Sequence, residues 1–324
     1  MVTDTPSALR IVFFGTPEFA VPTLRALLTS GHRVAGVVTQ PDRPKGRGQR
    51  PHHSPVKEVS VLHDIPVLQP EKLKEEWFLR EFTSLEPDLA VVAAYGKILS
   101  DRVLSLPRLG FLNVHASLLP KYRGAAPIQR AVMAGETETG VTIIRLVRAL
   151  DAGPMLATAS RPIGINESSV EIERDLAVVG AGLLVSVVDR VAAGRVIETP
   201  QDESAATYAP RLEKHEGQVD WTDSARTIHD KVRGLHPWPH AFTQFNGHRC
   251  ILLRSELAAA EAWGARPGRT TEAAGDSLTV ATGDGLIRLL SLQMEAGRPL
   301  TAREFIAGQR VKPGSMFGPR VAGL

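Results

Sequence analysis

The chain has 324 residues, 43% of them apolar and 23% charged, with one cysteine and a formal net charge of +3. That length allows two domains, and the composition is that of an ordinary globular protein, which sets aside disordered and fibrous classes. No apolar run reaches the roughly 18 residues of a membrane-spanning helix, and the lone Cys250 excludes an internal disulfide or a cysteine-based zinc cluster.

Residues 9–14 form a short apolar run and read as the first strand. Phe19, Leu24, Leu27 and Leu28 then share a helical face, and Gly31 ends that helix. The turn between them, Phe14-Gly15-Thr16-Pro17-Glu18, has one glycine where a dinucleotide site needs GxGxxG, and Pro17 removes a donor. This counts against a nicotinamide cofactor and against hydride transfer. A second strand is expected at 33–39. The irregular segment that follows, 40–57, carries Arg43, Lys45, Arg47, Arg50 and Lys57 against the single acid Asp42. Basic loops rich in Gly and Pro are usually solvated, but flexible arginines also track a phosphate backbone. His52-His53 is the nearest approach to a metal pair, and neighbours in sequence rarely share a ligand sphere; without HExxH, CxxC or a Walker loop, no metal is expected.

Further strands are expected at 67–69, 89–95, 110–116, 140–147 and 155–163, and Ser168, Ser169 and Glu171 start a long helix that reaches Ala193. This alternation predicts an α/β fold, a Rossmann-like, mostly parallel sheet with helices on both faces. Residues 194–210 have no period and read as a linker. Beyond it, strands dominate at 241–245, 249–254, 277–281 and 286–292, with a hairpin turn at Asn246-Gly247. Such short strands fit a small β-barrel or a sandwich equally. Cys250 falls at a core strand position, and Trp221 and Trp238 are expected to pack rather than to stack on bases. From Arg211 onward there are 15 Lys and Arg against 12 Asp and Glu, so the basic excess lies in the 40–57 loop and the C-terminal part.

The most informative stretch begins at Asn113. Asn113 and His115 stand two residues apart, so on a strand they share a face. Ser117-Leu118-Leu119-Pro120 follows and cannot continue a ladder, because Pro has no N–H. An amide beside an imidazole at the C-terminal end of a strand supplies the donors an oxyanion site needs, and open α/β sheets hold their ligands at that end. Alone, Asn-x-His is as readily a polar pair at a sheet edge. Asp151, in Leu150-Asp151-Ala152-Gly153-Pro154, ends another expected strand and is placed to converge with them.

The run NVHASLLPKYRGAAPIQ at 113–129, with LDAGPM at 150–155, resembles the formyltransferases that use 10-formyltetrahydrofolate. FGTPEFA at 14–20 and QPDRPKGRG at 40–48 narrow the resemblance to the branch that formylates methionine on initiator tRNA. The likeness continues through Asn246-Gly247 and ATGDG at 281–285, and so covers nearly the whole chain. It implies a formyltransferase catalytic domain over 1–193, a linker over 194–210, and a tRNA-binding, OB-like β-barrel domain over 211–324. It implies transfer of a formyl group from 10-formyltetrahydrofolate, without a metal, to the α-amine of initiator methionyl-tRNA. A monomer in a bacterial cytoplasm is expected; residues 1–6 carry no signal-peptide pattern.

In the mechanism this implies, Asn113 and protonated His115 donate to a tetrahedral oxyanion, and Asp151 orients His115 and accepts the amine proton. Ser117, Leu118, Leu119 and Pro120 line the folate pocket. Arg43 and Arg47 meet the acceptor end of the tRNA, and a C-terminal cation such as Arg303 meets phosphate. Glycinamide ribonucleotide formyltransferases would lack the C-terminal domain, and sugar-nucleotide formyltransferases have no use for the arginine loop. A catalytically dead nucleic-acid-binding protein would have lost Asn113, His115 and Asp151.

Overall fold

In the computed structural model, which describes residues 8–45, 50–258 and 264–318, the chain divides into two units. One holds the described residues up to Pro127, Thr139–Arg161 and Glu173–Ala209; the other holds Ile128–Glu138, Pro162–Ile172 and the described residues from Pro210 on. Up to Ala209 the strands are β1 (Arg10–Gly15), β2 (Arg33–Val38), β3 (Arg43–Lys45), β4 (Arg50–His52), β5 (Val67–Leu68), β6 (Leu89–Ala93), β7 (Phe111–His115), β8 (Arg123–Gly124), β9 (Glu138–Arg145), β10 (Met155–Pro162) and β11 (Tyr208–Ala209). The helices are α1 (Val21–Leu28), α2 (Pro55–Leu62), α3 (Glu76–Ser84), α4 (Asp101–Leu104), α5 (Pro127–Met133) and α6 (Ser169–Ala192).

The main sheet has the order β10-β9-β7-β6-β1-β2-β5. Strands β5, β2, β1, β6 and β7 run parallel, and β9 lies antiparallel to β7. Ile11, Val12, Phe13 and Phe14 are all fully buried. Covered on both faces, β1 therefore reads as a continuous apolar run rather than an alternation. On one face, Phe14 and Phe111 meet Phe78 and Phe82 of α3; the last two rings stack with centroids 5.7 Å apart. Truncating any of these rings to Ala costs about 3–5 kcal/mol. Helix α6 begins where the sequence pattern sets it: Glu171 accepts from both the Ser168 N–H and the Ser168 hydroxyl.

Two stretches differ from expectation. Strands β3 and β4 pair as a short antiparallel hairpin, Arg43 opposite His52, within the stretch expected to be irregular. Two prolines and no apolar alternation hide three paired residues from a period test. Residues 194–209, read as part of a linker, pack into the first unit. Thr199 and Met155 exchange backbone hydrogen bonds of 2.9 and 2.8 Å, and β11 pairs with β8. This segment is held by backbone and polar groups, to which hydrophobic periodicity is blind.

The second unit contains α7 (Ala225–Gly234), β12 (Ala241–Phe245), β13 (His248–Leu257), β14 (Thr270–Ala274), β15 (Ser277–Ala281), β16 (Leu286–Met294), β17 (Leu300–Thr301) and α8 (Ala302–Gln309). Its antiparallel sheet has the order β12-β13-β16-β15-β14, with β17 on β16. Asn246 and Gly247 both take positive φ, 52° and 82°, as a tight hairpin turn requires. Residues 316 and 317 span the two edges: Phe317 bridges Phe245 of β12, and Met316 bridges Arg269 at the entry to β14. Phe317 also packs on Phe245 and Phe305 in the core. Closing the edges through this strap fits the barrel rather than the sandwich.

Trp221 is buried and its indole N–H donates to Thr243 Oγ1, whereas Trp238, expected to pack as well, is 48% exposed. Cys250 lies in the core, where burial pushes its thiol up to about 12. Helix α7 escapes the sequence pattern because its buried face includes His229, Asp230 and Arg233. Arg226 and Arg233 bracket the Asp230 carboxylate, and His229 bridges the Ser255 hydroxyl and the Ile165 carbonyl.

Candidate active site at the end of strand β7

Strand β7 places Asn113 and His115 on one face, both nearly buried at 9% and 5% exposure. The chain then leaves the sheet. Ser117 N–H folds back to the His115 carbonyl, and Thr142 Oγ1 of β9 donates to the Ser117 carbonyl at 2.8 Å while accepting from Leu119 N–H. The Ser117 hydroxyl donates to the Lys121 carbonyl at 2.7 Å. The turn is thereby locked by its own polar groups. Ser117 and Leu119 are buried, and Leu118 and Pro120 are half-buried.

His115 is held on two sides. Nε2 donates to the Tyr122 carbonyl at 3.0 Å, and since a carbonyl only accepts, that nitrogen carries hydrogen. Nδ1 faces Asp151 Oδ2 at 3.6 Å, an ion-pair distance longer than a hydrogen bond. Asp151 Oδ2 in turn accepts from Gly124 N–H at 2.9 Å. The Asp151 backbone has φ of 47°, in the left-handed region that Asp tolerates better than most residues. Two residues on, a Cβ at Gly153 would lie 1.7 Å from the Arg145 carbonyl oxygen, so only glycine fits there. The side-chain amide of Asn113 has no hydrogen-bond partner among the described residues. Its polar atoms are not sealed from solvent, so the amide stands open to a ligand oxygen or nitrogen.

The expected trio thus comes together, with one refinement. His115 is expected to donate to an oxyanion, but its Nε2 hydrogen is engaged by Tyr122 O; the donor that stands free is Asn113. Near Asp151 the sequence pattern also misses an apolar rim. The loops after β6 and β9 are joined by the Arg148–Asp101 ion pair at 3.5 Å, and they expose Ile98, Val147 and Leu150.

The basic hairpin is fixed at its root. The Asp42 carboxylate accepts from Lys57 Nζ at 2.5 Å, from Gln69 Nε2 at 2.9 Å and from His53 Nδ1 at 2.9 Å. Burial alone raises the Asp42 carboxyl, but these hydrogen bonds and the Lys57 charge outweigh it and hold it at about 2. His53 is therefore a partner of Asp42, and no group of three or more His, Cys, Asp or Glu placed for a metal occurs among the described residues. The Arg43 side chain is 73% exposed, with Glu71 at 3.9 Å, a surface contact of little energetic weight. Arg47 lies outside the described residues. A cavity of about 500 Å³ opens beside the hairpin, lined by Thr16, Pro17, Gln40, Arg43, His52 and Ser54 among others. In the second unit the exposed Arg303 donates to both oxygens of Asp276, at 3.0 and 2.6 Å, a surface pair that competes with phosphate for the cation.

The class of protein is fixed by the chain as a whole: it matches the formyl transferase family model over residues 9–188 and the formyl transferase C-terminal domain model over 211–310, and it belongs to that family. Among its relatives, the methionyl-tRNA formyltransferase of Pelobacter propionicus is 46% identical over 312 residues, covering 96% of this chain and 97% of that one. Of solved structures, WlaRD, a sugar 3N-formyl transferase determined with dTDP and 5-N-formyl-THF, has a TM-score of 0.66 at 16% identity, covering 87% of this chain and 97% of that one. A variant of HypX from Aquifex aeolicus has a TM-score of 0.66 at 19% identity; it covers 95% of this chain, which spans about half, 49%, of the HypX chain. These two likenesses show a shared fold.

Proposed function

We propose that the chain transfers the formyl group of 10-formyltetrahydrofolate to the α-amino group of methionine on initiator tRNA, for translation initiation. The observation that carries this is the extent of the likeness: 46% identity with a methionyl-tRNA formyltransferase runs through both units, over 96% of the chain. The amine attacks the formyl carbon and forms a tetrahedral oxyanion. The free amide of Asn113 donates to that oxyanion; His115 joins it when its ring exchanges the Tyr122 carbonyl for substrate. Each such donor is worth about 3–4 kcal/mol. The His115–Asp151 pair takes the amine proton, and a proton reaches N10 of the folate as its bond to the formyl carbon breaks, releasing tetrahydrofolate.

For the folate, the turn at Ser117, Leu118, Leu119 and Pro120 provides a wall, and exposed Ile98, Val147 and Leu150 provide apolar seating for a flat ring. For the tRNA, Arg43 and Arg47 meet the acceptor end. In the second unit, exposed Arg249, Arg254, Arg310 and Lys312 have no ion-pair partner among the described residues and take the phosphates in place of Arg303. Catalysis belongs to the first unit, into which residues 194–209 pack, and backbone binding to the second. The enzyme works as a monomer in the cytoplasm; no described helix is long and apolar enough to cross a membrane. The test is a formylation assay with 10-formyltetrahydrofolate and three acceptors: charged initiator tRNA, charged elongator tRNA and small or sugar-linked amines. Initiator tRNA is expected to dominate kcat/KM. Transfer to the small amines with none to charged tRNA overturns the proposal.

A further inference from the structure

We infer that Gln201 is a positioning residue for formyl transfer, held by Arg123 and Glu203 so that its amide fixes the main chain of Asp151. The starting point is Arg123, the largest fully buried polar side chain among the described residues, 2% exposed. A buried guanidinium is tolerated only when it is paired and hydrogen-bonded. Here Nη1 and Nη2 donate to the two oxygens of Glu203 at 2.9 and 2.7 Å, and Nε and Nη2 both donate to Gln201 Oε1 at 3.0 and 2.8 Å.

Those two bonds decide which way the Gln201 amide points. With Oε1 claimed twice by a group that only donates, Nε2 must face away from Arg123. It donates to the Asp151 carbonyl at 2.7 Å and to the Gly153 carbonyl at 2.8 Å. All four hydrogen-bonding positions of the amide are filled. Two of them are spent on the turn that carries Asp151, whose backbone sits at φ 47°.

The neighbours of Arg123 act on the same two side chains. Tyr122 offers its carbonyl to His115 Nε2, and Gly124 gives its N–H to Asp151 Oδ2. Three consecutive residues, 122–124, thus contact the imidazole, the Gln201 brace and the carboxylate in turn. The brace comes from residues 201 and 203, in the stretch that sequence periodicity leaves as a linker. Gln201 touches neither reacting group. It holds the carbonyl of the one residue whose side chain faces Nδ1, across a gap that at 3.6 Å is already long. A further displacement of about 1 Å at such a gap costs on the order of a hundredfold in rate.

The inference rests on the proposed role of Asp151, and its test separates the two. Gln201→Glu keeps the shape and the acceptors for Arg123 but sets oxygen against two carbonyl oxygens; Gln201→Ala removes the brace. Both are expected to lower kcat about ten- to a hundredfold, with KM for charged initiator tRNA and for 10-formyltetrahydrofolate within about threefold of wild type. In ¹⁵N spectra the His115 ring resonances, assigned by their loss in His115→Gln, should shift in both variants toward their positions in Asp151→Asn. Melting of Gln201→Glu close to wild type keeps unfolding out of the comparison. An inactive Asp151→Asn alongside Gln201 variants of wild-type kcat overturns the brace and leaves the role of Asp151 standing. A fully active Asp151→Asn overturns the role of Asp151 and the brace with it. A fall in kcat with unmoved His115 resonances, or one matched by loss of folded protein in both variants, reduces Gln201 to a structural residue.

Discussion

Around His115 the functional side chains are gripped from behind by main-chain atoms: Tyr122 O on the imidazole, Gly124 N–H on the carboxylate. The 43–52 hairpin is held differently. Side chains of Lys57, Gln69 and His53 converge on Asp42 at its root, while Arg43 stands in water, 73% exposed. Main-chain grips are set by the fold and are insensitive to salt, and they suit groups that must meet a reacting atom within fractions of an ångström. An exposed cation beside such a root, as Arg43 is, can follow a phosphate backbone, and long-range attraction does the rest. The difference teaches that a site's demand for precision is visible in what holds it, before any ligand is considered.

The comparison breaks most visibly at the strand end. Asp151→Asn is expected to abolish formylation without unfolding, since a turn accepts Asn. Asn113→Ala and His115→Ala should each lower kcat at least about a hundredfold and leave tRNA affinity almost unchanged. Equilibrium tRNA binding measured beside single-turnover rates checks this, and wild-type turnover in either variant removes that residue from the chemistry. Asn113→Ala, which deletes the donor already free, should not be the milder of the two.

At the hairpin the effect is smaller and of another kind. Arg47→Ala, and to a lesser degree Arg43→Ala, should raise KM for initiator tRNA several-fold, flatten its dependence on salt and leave kcat nearly intact. A larger loss on initiator than on elongator tRNA means that the hairpin reads the shape of the acceptor end; an equal loss means a phosphate contact. By contrast Arg303→Ala should change little, and equally on every tRNA, because its guanidinium already shares an exposed pair with Asp276.

The smallest effect concerns the root itself. Asp42 sits below its ordinary value of 3.8, at about 2. A depressed carboxyl contributes its full stability above about pH 4 and loses it as pH falls through about 2. Wild type should therefore exceed Asp42→Asn by about 1–2 kcal/mol at neutral pH, with the gap shrinking only below pH 4. Thermal melts across that range test the sign; a gap that widens on acidification contradicts the hydrogen-bonded root.

What the sequence makes legible follows the same division. The parallel strands announce themselves as unbroken apolar runs because both faces are covered, and Asn113 and His115 share a face by strand geometry alone. Asp151 is recognisable as one carboxylate in a tight turn. Gln201 and Glu203 are not legible, because nothing periodic relates them to Arg123, 78 and 80 residues away. Helix α7 is hidden by the charges it buries. The pairing of Arg303 with Asp276 across 27 residues is likewise invisible to a count of basic residues.

The strap at Met316 and Phe317 has its own consequence. The C-terminal domain model ends at residue 310, six positions before the strap that joins β12 to the entry of β14. A chain trimmed at that boundary would keep all six strands of the barrel sheet and leave unpaired the backbone groups that the strap meets at the end of β12 and the start of β14. Open edges recruit one another between molecules. Two residues that belong to no regular element thus close the sheet, and shortening the tail is expected to trade a closed barrel for one that self-associates.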